Sequence, residues 1–278
     1  MIKLLKYIGY LLTAALLTLF TQIGGLIYLL LLPIVPLLTR SFSTRWKKHL
    51  LNIGIHFVSY LAIILLVLPP IARYFGRVPL PINSHAGIKP LNTFTWLCNR
   101  HYVRPQLIHI LQTVSKQLRK QYPATIIAYM DANFPFKKGY PLWPHLSHND
   151  GKKIDLAFLY KDATTQKYLP QTAKSLIGYG GCETPRKGEY NVAKICAQQG
   201  FWQYNILRRI YPKWLQKNID IDVPRTRKMM QLFAFQPQVQ VMYMEPYLKT
   251  RWGVNYAKIG FHGCQAVRHD DHLHVSVY

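Results

Sequence analysis

Two long apolar segments near the N-terminus constrain the fold of this chain more than any other feature. The first runs from Tyr7 to Leu38 and the second from Leu50 to Ala72, and neither contains Lys, Arg, Asp or Glu. A helix of about 20 apolar residues crosses the hydrocarbon core of a bilayer, whereas a soluble core helix or the apolar region of a cleaved signal peptide is shorter. The sequence therefore predicts a membrane anchor over residues 1–74 with two transmembrane helices.

Positive charges between the two segments predict the orientation of the anchor. Four Lys or Arg residues lie between residues 40 and 48, and short loops of this kind stay on the cytoplasmic side. The second helix then leads outward and places the rest of the chain on the periplasmic side of an inner membrane. Lys3 and Lys6 oppose a single first crossing, and a first segment that turns back at Gly24 and Gly25 would remove that conflict.

The overall charge restricts the classes of partner without choosing one. The chain has 35 Lys and Arg against 11 Asp and Glu, a formal net charge of +24. This balance suits nucleic acid, an anionic membrane surface or an acidic polymer. The sequence contains no nucleic-acid-binding motif, and the apolar segments favour membrane lipid as a partner.

The remainder of the chain divides into a linker and one domain. Gly and Pro interrupt every periodicity over residues 75–90, which predicts a linker, and residues 91–278 form the predicted domain. Strands are predicted over 125–130, 153–160, 238–244 and 272–277, and helices over 104–121, 191–216 and 225–235. This order predicts an α+β domain around a mainly antiparallel sheet.

The C-terminal strand offers the first candidate site residues. His272, His274 and Ser276 alternate with three apolar residues, so both histidines leave the same face of the strand, roughly 6.6 Å apart. A second polar stretch contains His148 and Asp155, with Gly151 between them for a tight turn. A catalytic metal takes three protein ligands and keeps one position open. The spacing alone leaves two alternatives, a metal site or solvated surface groups.

Other catalytic signatures are absent from the sequence. It contains no His-Glu-x-x-His helix motif, no Gly-x-Ser-x-Gly elbow and no Cys-x-x-Cys pair. The stretch from Gly178 to Gly181 lacks the Gly-Lys-Ser/Thr ending of a phosphate loop and predicts a flexible loop. Disulfides are possible on the outer side of the membrane, so three full pairings and free thiols remain open for the four cysteines, which are Cys98, Cys182, Cys196 and Cys264.

Two linked motifs carry a resemblance to a known family. They are His145-x-Ser147-His148-x-x-Gly151-x-x-x-Asp155 and His269-Asp270-Asp271-His272-Leu273-His274. Together they resemble the penicillin-insensitive murein endopeptidases, which belong to the zinc peptidases that include lysostaphin and the D-Ala-D-Ala carboxypeptidases. The resemblance covers residues 125–278 loosely and about twenty positions well.

The resemblance implies a role for each residue of the two motifs. It implies a zinc ion held by His148, Asp155 and His274. It assigns catalysis to His272, supported by His269. It also makes His145 a polar partner and leaves Asp270 and Asp271 as candidate orienters of the catalytic histidine.

The resemblance further implies an activity, although the chain departs from the family in two respects. It lacks the Glu-x-Trp-His arrangement of the carboxypeptidase branch, and it has a membrane anchor. The implied activity is that of a membrane-anchored, zinc-dependent endopeptidase that cleaves the peptide cross-links of peptidoglycan. The alternative is a non-hydrolytic, metal-binding membrane protein that recognises the cell wall or another anionic polymer.

Overall fold

The computed structural model describes residues 2–42, 44–83 and 85–278. Its α-helices are α1 (Ile2–Thr21), α2 (Gly24–Leu31), α3 (Ile34–Leu38), α4 (Arg45–Ala62), α5 (Leu68–Tyr74), α6 (Thr93–Leu97), α7 (Pro105–Gln121), α8 (Val192–Gln198), α9 (Ile206–Ile210), α10 (Val223–Ala234) and α11 (Pro246–Trp252). Its strands are β1 (Val78–Pro79), β2 (Ile88–Pro90), β3 (Tyr102–Val103), β4 (Ile127–Tyr129), β5 (Lys153–Ala157), β6 (Tyr160–Asp162), β7 (Tyr168–Leu169), β8 (Ile219–Ile221), β9 (Val239–Tyr243), β10 (Ile259–Gly260) and β11 (His272–Val277). A π-helical segment, Ile63–Val67, joins α4 to α5, and 3-10 turns cover Trp202–Asn205 and Lys213–Leu215.

Two helices in the N-terminal region are long and apolar enough to cross a membrane. One covers Lys3–Thr21, and the other runs without a break from Arg45 to Tyr74. Only 11% and 6% of their apolar windows are buried, whereas the core helix of a soluble protein would bury most of its apolar surface. The two helices therefore have the exterior expected of helices in contact with lipid.

The first apolar segment forms a helical hairpin. Gln22 adopts a φ of +68° directly after α1, and α2 then runs back along α1. A Cβ on Gly25 would lie 2.1 Å from the carbonyl oxygen of Ala14, so the close approach of the two helices requires glycine here. The hairpin returns the chain to the end at which it starts. Lys3 and Lys6 therefore lie at the same end as the basic residues between α3 and α4.

A six-stranded sheet of order β10-β9-β11-β5-β4-β2 forms the centre of the C-terminal domain. The four central strands pair antiparallel, whereas β10 pairs with β9 and β2 pairs with β4 in parallel. The predicted α+β class is confirmed, but the sheet is mixed. Each parallel edge strand is separated along the chain from its neighbour by helix, α11 at one edge and α6 with α7 at the other, as parallel pairing requires.

Residues 75–90, predicted as a linker, contribute strands to this domain. β1 pairs with β3, and β2 forms one edge of the main sheet. Arg77 is buried, and its guanidinium donates to the carbonyl oxygens of Phe134 and Asn149, the latter at 3.0 Å. The folded domain therefore begins before Leu91.

The C-terminal strand β11 lies at the centre of the sheet. It pairs with β5 on one side and β9 on the other, and all six of its residues are buried. Leu273, Val275 and Val277 join the main hydrophobic core, to which α7 and α10 contribute. The strand also buries its polar face, and this face holds the candidate site.

The long apolar helices of the N-terminal region pack directly against the C-terminal domain. The amide of Asn99 donates to the carbonyl oxygen of Thr21 at 3.1 Å, and the hydroxyl of Tyr140 donates to that of Thr18 at 2.7 Å. The side chains of α6 pack into the same apolar cluster as the π-helical segment and α5. The turn of the hairpin is therefore tied to α6 and to the loop that follows β4.

Candidate metal centre

Paired strands place two of the predicted ligands side by side. His274 on β11 is the register partner of Asp155 on β5, and His272 is the partner of Ala157. Residues directly opposite each other in an antiparallel pair face the same side of the sheet. His274 Nδ1 accordingly lies 2.8 Å from Asp155 Oδ1.

His148 reaches this pair from the loop that precedes β5. Gly151, with a φ of +83°, turns the chain into β5 in a conformation that glycine favours. His148 Nδ1 lies 2.8 Å from the carbonyl oxygen of Ala132. Because a carbonyl can only accept, Nδ1 carries the proton and the lone pair of Nε2 is free for a metal ion.

Three ligand atoms therefore converge at one point. His148 Nε2 lies 3.1 Å from His274 Nδ1 and 3.3 Å from Asp155 Oδ1. With Asp155 ionised and both rings neutral, at most one proton is available for the three close contacts, so hydrogen bonding alone leaves lone pairs facing one another. Nitrogen and oxygen ligands about 2.0–2.1 Å from a tetrahedral ion are about 3.3 Å apart. These residues, all three buried, could hold a metal ion.

Two side chains contact the second carboxylate oxygen of Asp155. The hydroxyl of Tyr179 donates to Asp155 Oδ2 at 2.9 Å, and His145 Nδ1 lies 3.3 Å from the same atom. Burial acts to raise the pKa of Asp155, but the surrounding histidines, His148 foremost, hold that pKa well below its usual range. The carboxylate is therefore ionised and turned so that Oδ1 faces the two ligand histidines.

A buried ion pair supports this arrangement. Asp131 Oδ2 accepts from Arg100 Nη2 at 2.8 Å and lies 3.1 Å from His145 Nδ1. Burial acts to raise the pKa of Asp131, but the Arg100 guanidinium and His145 together hold that pKa below its usual value. His145 thus lies between the carboxylates of Asp131 and Asp155.

His272 forms an acid–base pair beside the three ligands. Its Nδ1 lies 2.5 Å from Asp271 Oδ1, and Asp271 Oδ2 accepts from the backbone N–H of Gly180 at 2.6 Å. Its Nε2 is buried 3.7 Å from Asp155 Oδ1 and has no hydrogen-bond partner among the described residues. Burial lowers the pKa of His272, but Asp155 and Asp271 raise it to about 9. The free nitrogen therefore faces the metal centre.

Asp270, the other candidate orienter, belongs to a neighbouring network. It pairs with Arg268 and accepts from the hydroxyl of Tyr247 at 2.5 Å. Asp270, Asp271 and Cys182 lie close enough to hold a cation. Arg268 already neutralises Asp270, however, and burial raises the pKa of the Cys182 thiol well above its ordinary value. The contacts of this second cluster hold the residues that directly precede His272.

His269 lies between the strand histidines and the solvent. Its ring centroid is 4.9 Å from that of His272 and 5.7 Å from that of His274. Burial, followed by the neighbouring histidines, lowers the pKa of His269 well below its usual value, so the ring is neutral. The exposed ring of His262 lies 5.7 Å from His269. His262 also lies 6.2 Å from His274, so these imidazoles form one cluster that reaches the exposed surface.

Sequence analysis did not identify Tyr179, Asp131, Arg100 or His262 as site residues. The stretch around Tyr179 was predicted as a flexible loop. In the structure Gly178 has a φ of +90°, and a Cβ there would lie 2.2 Å from Met130 Sδ. An aromatic residue between glycines is the one signal in the sequence that marks this close approach.

A disulfide bridge holds the edge of the site. It joins Cys196 on α8 to Cys264 in the segment between β10 and β11, which also contains His269. Cys98 and Cys182 are free thiols. The structure therefore has one disulfide and two free thiols, and not one of the three full pairings of four cysteines.

The site as a whole combines three convergent ligand atoms with an imidazole–carboxylate pair. Three protein ligands leave a fourth coordination position at a tetrahedral ion, and His272 Nε2 beside them can transfer a proton. Comparison of the chain with models of known protein families and with curated proteins finds no match.

Proposed function

We propose that this protein is a membrane-anchored, zinc-dependent endopeptidase that hydrolyses the peptide cross-links of peptidoglycan. The convergence of His148 Nε2, Asp155 Oδ1 and His274 Nδ1 within 3.3 Å of one another is the observation that carries this proposal. The resemblance of the two motifs to murein endopeptidases supports the choice of substrate. The net charge of +24 suits an anionic wall polymer.

The donor set favours zinc. Two imidazole nitrogens and one carboxylate oxygen are ligands that zinc accepts, and three protein ligands are the usual number at a catalytic zinc site. When bound there, zinc would polarise the scissile carbonyl and lower the pKa of a water molecule to about 7. The contacts of Asp155 with Tyr179 and His145 orient the carboxylate for this role.

His272 is the residue that moves a proton. Asp271 accepts from Nδ1 and fixes the ring, so Nε2 is the atom that exchanges a proton with the substrate. The same imidazole can donate a hydrogen bond to a developing oxyanion. This mechanism needs no covalent nucleophile.

Digestion of purified murein tests the proposed function. The full-length protein in detergent should convert cross-linked muropeptide dimers to monomers, a chelator should stop the conversion, and added zinc should restore it. Chromatography of the muropeptides measures the result. One metal ion per chain without any loss of dimers would contradict hydrolysis and favour the non-hydrolytic alternative.

The orientation of the anchor gives a separate prediction. A periplasmic reporter fused after Tyr278 should be active, whereas the same reporter fused after Thr39 should be inactive. The positive charges between residues 40 and 48 and the hairpin of α1 and α2 support this orientation. The bridge between Cys196 and Cys264 supports it as well, because disulfides persist in oxidising compartments. Activity of a cytosolic reporter after Tyr278 would reverse the assignment.

A further inference from the structure

Five large apolar side chains are exposed on segments that adjoin the metal centre. They are Phe94 (50% exposed), Trp143 (61%), Leu146 (57%), Leu176 (62%) and Ile177 (47%), and together we call them the apolar rim. Single exposed apolar residues are common in soluble proteins, but several on neighbouring segments indicate a contact surface.

Two members of the apolar rim lie in the loop that supplies a ligand. Trp143 and Leu146 flank His145, and His148 follows two residues later. The carbonyl oxygen of Trp143 accepts from Arg100 Nη2 at 2.9 Å, and the same nitrogen donates to Asp131. The backbone of Trp143 is therefore held by the residues that support the ligands, and its indole is exposed.

The other members are tied to the site through the loop that contains Tyr179. Leu176 and Ile177 directly precede Gly178 and Tyr179 in this loop. The side chain of Asn92 donates to the carbonyl oxygen of Leu176 at 3.5 Å and also caps α6, on which Phe94 lies. The apolar rim thus runs from the site loops onto α6.

The same segments contact the turn of the membrane hairpin. Beside Phe94 on α6, Trp96 and Leu97 pack against the apolar cluster of the membrane helices. In the loop that leads to Trp143, the backbone N–H of Phe136 donates to Gln22 Oε1 at 3.0 Å. The apolar rim is therefore continuous with the part of the chain that enters the membrane.

We propose that the apolar rim lies in the outer leaflet of the membrane that the helices of this chain span. The metal centre then works at the lipid surface, and its substrate is a peptide that is still linked to a membrane lipid. Trp143 is a residue type that favours the membrane–water interface. Lys137 and Lys138, exposed in the same loop, complement anionic headgroups. The membrane contact stands without the proposed function, whereas the substrate class rests on it.

A surface contact of this kind changes which substrates the site encounters. A peptide anchored in the same leaflet is confined near the metal centre, so its effective concentration is far above its bulk concentration. A free peptide gains nothing from the membrane. The inference therefore predicts a preference for the anchored form of one and the same peptide.

Fluorescence quenching tests the membrane contact directly and needs no activity. The full-length protein is placed in vesicles of anionic phospholipid with brominated acyl chains, which quench nearby indoles. Because the chain has 6 Trp, the contribution of Trp143 is the difference between the wild type and Trp143→Phe. That difference should be strongly quenched, whereas the corresponding difference for Trp202→Phe, which removes an indole 64% exposed, should not. Equal quenching of both would overturn the inference and leave the rim to another occupant, such as a protein partner.

Hydrolysis of paired peptides tests the substrate class. In the same vesicles, the wild type should cleave a lipid-anchored peptide at least about tenfold faster than the free peptide. Leu176→Ser combined with Ile177→Ser should lower this ratio towards one at unchanged metal content, and Phe235→Ser, at an exposed apolar residue after α10, should not. A wild-type ratio near one would overturn the substrate class. Failure to cleave either peptide would overturn the proposed function and the substrate class together, whereas the quenching of Trp143 would still decide the membrane contact.

Discussion

Replacing His148 or His274 with alanine should remove the bound metal ion and the hydrolytic activity together. Each change leaves only two of the three convergent ligand atoms, and one of these two belongs to the buried carboxylate of Asp155. Loss of a partner that merely orients a ligand costs about 10–100-fold in metal affinity, and loss of the ligand itself should cost more. Without the metal nothing lowers the pKa of the attacking water, so hydrolysis should fall below detection.

Metal analysis and muropeptide assays on the same preparations measure both effects. His109→Ala is the matched control, because it removes an exposed histidine on α7. The control should keep about one metal ion per chain and the wild-type rate. Circular dichroism should show that each variant remains folded. Full metal occupancy in both His148→Ala and His274→Ala would contradict the ligand assignment.

The central strands of the sheet could be predicted from the sequence, whereas its edges could not. β5, β9 and β11 contain five or six residues each, long enough for a periodic pattern to be recognised. β4 has only three residues, but it lies in the apolar run 125–130, whereas β2, which ends at Pro90, and β10, which has two residues, lie in no such run. These two strands form the parallel pairs, so a prediction from the central strands alone gave a mainly antiparallel sheet.

Proline explains why residues 75–90 were predicted as a linker. Pro79 ends β1 and Pro90 ends β2, and proline normally argues against a strand because it lacks an N–H donor. Both strands lie at the edge of a sheet, where a missing donor is tolerated. The local sequence could not reveal this, because an edge position is a property of the assembled sheet.

The sequence motifs name the three candidate ligands, but no motif marks several of the residues that support them. His148, Asp155 and His274 lie in two motifs whose residue types and order carry the resemblance. Arg100 and Tyr179 act through contacts across tens of residues, and no local pattern joins them to Asp155. Long-range hydrogen bonds of this kind depend on how β4 and β5 pair, which a single sequence does not specify.

His272 and His274 leave the same face of β11, but their ring nitrogens have different surroundings. His274 Nδ1 lies 2.8 Å from Asp155 Oδ1, whereas His272 Nε2 lies 3.7 Å from that atom. The other nitrogen of His272 is already occupied by Asp271 at 2.5 Å. This geometry supports our proposal that His274 is a ligand and that His272 transfers the proton.

His272→Ala should therefore keep the metal ion and lose most of the turnover. A positioned proton-transfer group contributes about 10²–10⁴-fold, so kcat should fall by about that factor. KM should change little, because the lost interaction is made in the transition state. Asp271→Asn should keep His272 in place but weaken its orientation, and we expect a smaller fall in kcat at full metal content. Metal content and kcat measured on one preparation distinguish the outcomes: loss of metal from His272→Ala would make His272 a ligand, and an unchanged rate would exclude it from catalysis.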